Sequence, residues 1–291
     1  MSATRQLRRR LGILLGALDA WPDIRHLLVR RHYARHRRCR VAFGGVDVDF
    51  ATDDFYSTAW FRPVFDTGVY EPGTLRVLLD RLPSHRCFAD VGANLGYFTT
   101  IAAKAAPKIQ VYAFEADRTL VPLIERNAAI NRLTNVTAVG TLVGRGAGTG
   151  EVSSHAFSFL GRITGIPTQP FDVRISVPIV GLDDYFAQQP SLPDFLKIDV
   201  DGADMDVVSS MPKILAQENV ELLLEIHRHL LPAFGSSAED VVRALKALGF
   251  HLYRVAEFRG GATAPLTEMT TPAEIRSPSG DMYFVTRRPL P

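Results

Sequence analysis

Four stretches end an apolar run on residues able to do chemistry. "CFADVGANLG" delivers Asp90 and then a glycine-rich break, "VYAFEAD" delivers Glu115, "FLKIDVDGAD" delivers Lys197, Asp199 and Asp201, and "LLLEIH" delivers Glu225 and His227. Carboxylates accept hydrogen bonds from hydroxyl and amino groups, and an imidazole exchanges a proton near neutral pH. In an extended chain Leu223, Glu225 and His227 share one face, so two neighbouring strands bring Asp199, Asp201, Glu225 and His227 to one cleft. Such a set is a concentration of groups for general acid/base work. Asp199 is the first candidate for the base and His227 the second, with Glu225 orienting either one. Asp199, Asp201 and Glu225 also have the chemistry to gather a hard cation. Their spacing fixes no coordination geometry, so a metal-free site is the expectation. Lys197 is placed to relieve repulsion among the carboxylates.

The glycine break after Asp90 has a different task. In an open parallel sheet, ligands bind beyond the carboxyl ends of the strands, where a strand hands over to its helix. Gly92 permits a sharp turn and Gly96 relieves crowding at the helix start. A dinucleotide loop needs glycine at its first, third and sixth positions; here these are Gly92, Asn94 and Tyr97, and only the first fits. An acid followed by small residues suits a ligand with a cationic amino-acid end and no pyrophosphate, as S-adenosylmethionine has and NAD has not. Glu115, on the tip of the next strand, is placed to accept both ribose hydroxyls.

The elements that position these residues alternate. The pattern predicts strands at 87–91, 110–114, 136–142, 195–199 and 220–226, and helices at 95–106, 118–131, 203–217 and 237–248. Strands apolar on both faces predict a parallel sheet covered on both sides. "HLYRVAEF" and "DMYFVTRR" read as antiparallel edge strands. Upstream, 41–56 reads as a hairpin around Gly44–Gly45, and 69–82 as a helix begun at Pro72 and ended at Pro83. Residues 4–38 read as basic helices with leucines at helical spacing. Their apolar stripe is expected to pack on the body of the protein, and peripheral contact with an anionic membrane is the lesser reading. The division predicted is a basic extension over 1–40, a hairpin and helix over 41–84, and the main domain over 85–291.

Across 291 residues, 46% hydrophobic and 22% charged, the chain can bury one substantial core. A formal charge of +2 excludes a molecule that is basic throughout, and much of the excess lies in the first forty residues. Cys39 and Cys87 form no secreted-type disulfide framework. The early run "LGILLGALDAW" is too short to span a bilayer and no convincing cleavage site follows it, so a cytoplasmic protein is expected.

In order, "VYEPG", "DVGANLGYFT", "VYAFEAD", the asparagines of "ERNAAINRLTNV", "VPIVGLDDYF", "LKIDVDGAD" and "LLLEIH" make residues 69–228 resemble the FkbM-type methyltransferases, a class I S-adenosylmethionine-dependent family. Ala116 stands where that family usually has proline, and Asp201 and Asp204 where it has glutamates. The resemblance implies a Rossmann-like, mostly parallel sheet of seven strands. It implies a donor site of Asp90, Gly92, Asn94, Gly96 and Glu115, with Thr141 and Leu142 along the adenine and Glu71 of "VYEPG" grouped with them. It further implies O-methylation of a sugar, glycan or polyketide-type natural product. The alternatives are a methyltransferase acting on nucleic acid or protein, or a non-catalytic binding protein on the same scaffold. No Asn/Asp-Pro-Pro-Tyr/Phe tetrapeptide follows the fourth strand to hold a flipped base, so a nucleic-acid partner is not expected. The irregular segment 154–178 is expected to wall the acceptor site.

Overall fold

The computed structural model describes residues 37–153, 174–256, 266–275 and 280–290. The chain forms two compact units, one reaching to Tyr70 and taking in part of Glu151–Ile175, the other made of Glu71–Gly150 and Ser176–Pro291. The basic stretch read as helical lies almost wholly outside the described residues, and at its end Arg38 already belongs to a strand.

In the first unit, Arg38–Phe43 (β1) and Val46–Ala51 (β2) pair antiparallel around Gly44–Gly45, as the alternation predicts. Cys39, Val41, Val48 and Phe50 are buried, while Arg38 and Arg40 stay exposed and pair with Asp49 and Asp47. The predicted hairpin runs too far. Asp54 accepts from the Ser57 backbone N–H at 2.8 Å and caps a short helix, Phe55–Trp60 (α1), which is followed by Arg62–Thr67 (α2). An aspartate three residues before a serine was the local sign of that helix start.

The second unit begins with the helix Pro72–Arg81 (α3). Its sheet alternates with helices: Cys87–Val91 (β3), Tyr97–Ala105 (α4), Gln110–Glu115 (β4), Val121–Ile130 (α5) and Val136–Gly140 (β5). Leu142–Val143 (β6), Gly148–Ser153 (β7), Arg174–Val180 (β8) and the helix Leu182–Phe186 (α6) follow. Phe195–Ile198 (β9), Asp204–Ser209 (α7), Pro212–Leu215 (α8), Glu221–Ile226 (β10) and Ala238–Ala247 (α9) continue the alternation. His251–Arg254 (β11), Thr267–Glu268 (β12) and Asp281–Thr286 (β13) complete it. The sheet order is β12-β11-β13-β10-β9-β3-β4-β5, with β5, β4, β3, β9 and β10 parallel and the other three antiparallel.

This is the expected α/β architecture with three corrections. The sheet has eight strands rather than seven, because the two-residue β12 adds to the outer edge of β11. The strand read as 136–142 stops at Gly140, and Leu142–Val143 pairs instead with Ile179–Val180 of β8. The helix read as 203–217 is two helices, since Pro212 cannot donate to a continuing helix and starts a new one.

Side chains from β3, β9, β10 and β13 fill the core against α7, α8 and α9, and every residue of β3 is buried. The asparagines of the fifth helix region are structural. Asn127 donates to the Leu95 carbonyl at 2.8 Å, and Asn135 donates to the carbonyls of Ala103, Ala106 and Ile109 at the end of α4. Both cysteines are free and buried, and burial pushes each thiol up to about 12.

At the end of the sheet remote from the catalytic candidates, Glu221 accepts from Arg81 Nε at 2.8 Å and lies 3.0 Å from His85 Nε2. Asp194 accepts from the backbone of Arg86 and Cys87, both at 3.0 Å. Burial works to raise the Glu221 pKa, but His85 and Arg81 hold it below the ordinary carboxylate value. A carboxylate depressed in the folded state contributes stability above its unfolded pKa and loses it as pH falls through the folded one. Glu221→Gln should therefore cost about 1–2 kcal/mol at neutral pH and shrink toward no cost in acid. Thermal unfolding of both proteins from pH 7 to below pH 4 measures this, and a cost independent of pH would contradict it.

Candidate active site

The parallel register sets the site. Asp90 of β3 lies opposite Lys197 of β9, which lies opposite Leu223 of β10. Paired residues in a parallel sheet share a face, and so do residues two apart along a strand. Asp90, Lys197, Asp199 and Glu225 consequently project to one side near the carboxyl edge, with His227 just beyond β10. The predicted convergence of Asp199, Asp201, Glu225 and His227 is present. His227 Nε2 lies 3.3 Å from Glu225 and 3.9 Å from Asp201.

Lys197 is the hub. It is 1% exposed, its Nζ donates to Asp199 at 3.0 Å and it stands 4.7 Å from the Phe98 ring centroid. Burial opposes its charge, yet Asp199, Asp90, Glu71 and Glu225 outweigh burial and hold its pKa above the ordinary lysine value. Burial likewise opposes ionisation of Asp199, and Lys197 and His227 hold its carboxyl below the usual range. Glu225 goes the other way. Burial and the charges of Asp199 and Glu71 push it up to about 9, so at neutral pH it is a neutral acid hydrogen-bonded to Asp199. Asp204, at the start of α7, is wholly buried, and burial with the charges of Asp199 and Asp201 pushes it up to about 7, against backbone N–H groups of Asp204 and Gly202. The sequence reading named Asp204 only as standing where the family has glutamate and gave it no role, since no spacing rule separates it from an ordinary helix-start acid.

The loop after β3 is built on the same edge. Asp90 Oδ2 accepts from the Thr99 backbone at 3.0 Å and from its hydroxyl at 2.6 Å, while Oδ1 is buried without a partner. Burial raises its pKa, against Lys197 and Thr99. Glu115 is 5% exposed and clasps two backbone N–H groups, Asn94 at 2.6 Å and Asp117 at 2.8 Å. Asn94 takes a left-handed φ of 53°, which turns the loop over the tip of β4, and Gly96 follows at the head of α4. Gly92 has a reason the sequence did not give. A Cβ there would fall 1.8 Å from the Asp199 carbonyl oxygen, so its bare backbone is what lets β3 pass beside the tip of β9.

Three residues left-handed without being glycine stand in this region, Glu71, Asn94 and Asp201, and only Arg132 adds a fourth among the described residues. Glu71 acts on Lys197 and Glu225 through its charge, which puts it beside the catalytic candidates. Thr141 lies one residue past Gly140, which pairs with Glu115 at the tip of β5, and its hydroxyl donates to the Pro178 carbonyl at 2.7 Å. Leu142 belongs to the small β6 strand. Of the segment expected to wall the acceptor site, residues 154–173 lie outside the described residues.

The family described as "Methyltransferase FkbM domain" matches residues 90–252, which spans the glycine loop, all the acidic strand tips and α9. The chain belongs to the FkbM methyltransferase family. A curated relative, "Methyltransferase 1" of Beauveria bassiana (strain ARSEF 2860), is 24% identical over 153 residues, covering 44% of this chain and 59% of the relative. The chain thus spans under two thirds of that relative's length. Solved structures similar to this FkbM chain include precorrin-6y C5,15-methyltransferase from Geobacter metallireducens GS-15, 14% identical with a TM-score of 0.41 over 74% of this chain and 86% of that one. Ribosomal protein L11 methylase from Lactobacillus delbrueckii subsp. bulgaricus is 13% identical, with a TM-score of 0.41 over 74% and 77%. The FkbM fold is the class I methyltransferase one, a mostly parallel sheet flanked by helices. Among the described residues no helix is long and apolar enough to cross a membrane.

Gly92→Ala tests the close approach of β3 and β9. The added Cβ meets backbone on a rigid strand tip at a left-handed φ of 83°, so nothing can yield cheaply. The expected outcome is a loss of about 3 kcal/mol or more in unfolding free energy, or no soluble protein. Denaturant unfolding measures it, and a variant as stable as the parent would contradict the packing.

Proposed function

We propose that this FkbM chain transfers the methyl group of S-adenosylmethionine to a hydroxyl oxygen of a sugar, glycan or polyketide-type natural product. The observation that carries this reading is the joint clasp of Glu115 on Asn94 and Asp117 beside the buried Asp90. It makes the glycine loop and the tip of β4 one preformed cradle, without the further glycines a pyrophosphate needs. Each Glu115 oxygen retains a lone pair for a ribose hydroxyl, and the partnerless Asp90 Oδ1 is an acceptor held beneath the loop.

In the reaction, a lone pair of the acceptor oxygen forms the new C–O bond while the C–S bond breaks, its electron pair returning to sulfur to give S-adenosylhomocysteine. The hydroxyl proton is drawn off at the Asp199–Asp201–Glu225–His227 cluster on the neighbouring tips. Because the donor carries its own leaving group, the protein's work is to align the two reactants and remove that proton. Lys197 keeps Asp199 charged, and the cationic sulfonium is matched by the negative tip of β9.

Burial raises Glu115 to about 7, against the backbone N–H groups of Asp117 and Asn94. Only the ionised form accepts both ribose hydroxyls, so affinity for S-adenosylhomocysteine should rise as pH passes upward through about 7. Glu115→Gln should weaken that affinity about 10- to 100-fold and abolish its pH dependence. Titration calorimetry at several pH values measures both effects. Incubation with methyl-labelled donor and a panel of hydroxylated sugars and polyketide alcohols tests the chemistry: label on oxygen is expected, and a bound donor that methylates no hydroxyl would overturn the reading.

A further inference from the structure

We propose that Asp199, Asp201 and His227 hold a divalent cation of the Mn²⁺ or Mg²⁺ class, which binds the oxygen atoms of the acceptor. This departs from the metal-free expectation and rests on reading the cluster as the acceptor site. One ligand atom from each of the three residues lies within 4.8 Å of the others. Hard cations take oxygen ligands at about 2.1 Å, so facing ligands stand about 4.2 Å apart and a small closure completes the set. Two carboxylates and one imidazole suit Mn²⁺ well.

The three residues come from rigid places. Asp199 follows β9 with its backbone N–H bound to the Val91 carbonyl at 2.9 Å, and His227 follows β10. Asp201 lies between them in a left-handed turn, at φ 49°, that brings its carboxylate 3.9 Å from His227 Nε2. Lys197 donates to one oxygen of Asp199 from within the core, and Glu225 also hydrogen-bonds Asp199, so a cation there would displace the Glu225 contact. Asp201 is 53% exposed at its side chain, so the cluster opens to solvent on that side and an acceptor can complete the coordination.

Buried groups back the cluster from the protein side. His227 is only 9% exposed, and its Nδ1 is buried without a hydrogen-bond partner while Nε2 faces the carboxylates. Asp204 is wholly buried one turn beyond Asp201, its carboxyl group against the backbone N–H groups of Gly202 and of Asp204 itself. Gly280 closes the far side. A Cβ there would fall 2.4 Å from Glu225 Oε1 and 2.9 Å from His227 Nε2, so the open approach to His227 is from Asp201. A cation held there would polarise the acceptor hydroxyl, and Asp199, Asp201 and His227 would then act as its ligands in place of taking the proton themselves; the proton would pass to water as the C–O bond forms and the donor's C–S bond breaks.

The test uses the full chain, freed of metal by chelation and dialysis, with Mn²⁺ alone as probe. Electron paramagnetic resonance follows loss of the free Mn²⁺ signal, expected at one ion per chain. Asp201→Asn keeps a residue that tolerates the left-handed turn, and His227→Ala removes the imidazole. Each should weaken Mn²⁺ binding about 10-fold or more, with S-adenosylhomocysteine affinity by calorimetry within about 2-fold of the parent. An unchanged free Mn²⁺ signal with the parent protein, or variants that bind Mn²⁺ as the parent does, would overturn the cation site. S-adenosylhomocysteine binding without Mn²⁺ binding sinks this inference and leaves the methyl-transfer reading standing. The converse result, Mn²⁺ bound at these residues and no donor affinity, supports the site and sinks that reading.

Discussion

A buried ammonium holds the active edge of this protein together. Lys197 sits in the middle of the parallel sheet with no water to solvate it, opposite Asp90 in register and bonded to Asp199. An isolated charge in such a place would lose its proton. It stays charged because four carboxyl groups, from three strands and the start of α3, surround it. The dependence is mutual. Without the lysine, Asp90 and Asp199 would be left buried with nothing to balance their charge, and removing one partner of such a set typically costs about 3–5 kcal/mol. The lysine thus lets the fold keep acidic groups clustered at the carboxyl edge of the sheet.

From that hub the carboxylates divide their work by environment. Asp199 is held ionised, Glu225 is held neutral at physiological pH, and Glu115, farther along the edge, sits near its midpoint. Groups of one chemical type, each pushed a different way by burial and neighbours, give a site both an acceptor and a donor of protons. The backbone makes the same economy of space. Gly92 passes beside the Asp199 carbonyl, and Gly280 lies against Glu225 and His227, so two loops come closer to the reacting groups than any side chain would permit.

Much of this was legible in the sequence, for physical reasons that can be named. The alternation of doubly apolar strands with amphipathic helices fixed the sheet class, and the acids at strand ends fixed its working edge. Period-two spacing placed Lys197 with Asp199, and Glu225 with His227. What escaped was set by contacts between distant segments. The need for Gly92 is visible only once the tip of β9 lies beside it. Pro212 splits one predicted helix, and the turn at Thr141 diverts a strand into a second small sheet. The αL turn at Asp201, the burial of Asp204 and the placing of Lys197 over Phe98 depend on tertiary placement that no local pattern encodes. The glycine loop was read as making room for a ligand, and part of its purpose is to make room for the protein itself.

The most direct test of the account is a pair of calorimetric titrations of the purified full chain, one with S-adenosylhomocysteine and one with NAD. The cradle formed by Asp90, Asn94 and Glu115, with no pyrophosphate loop, predicts saturable one-to-one binding of S-adenosylhomocysteine and none of NAD. Binding of NAD at comparable affinity, or no heat with S-adenosylhomocysteine from a protein that is folded by its cooperative melt, would contradict it.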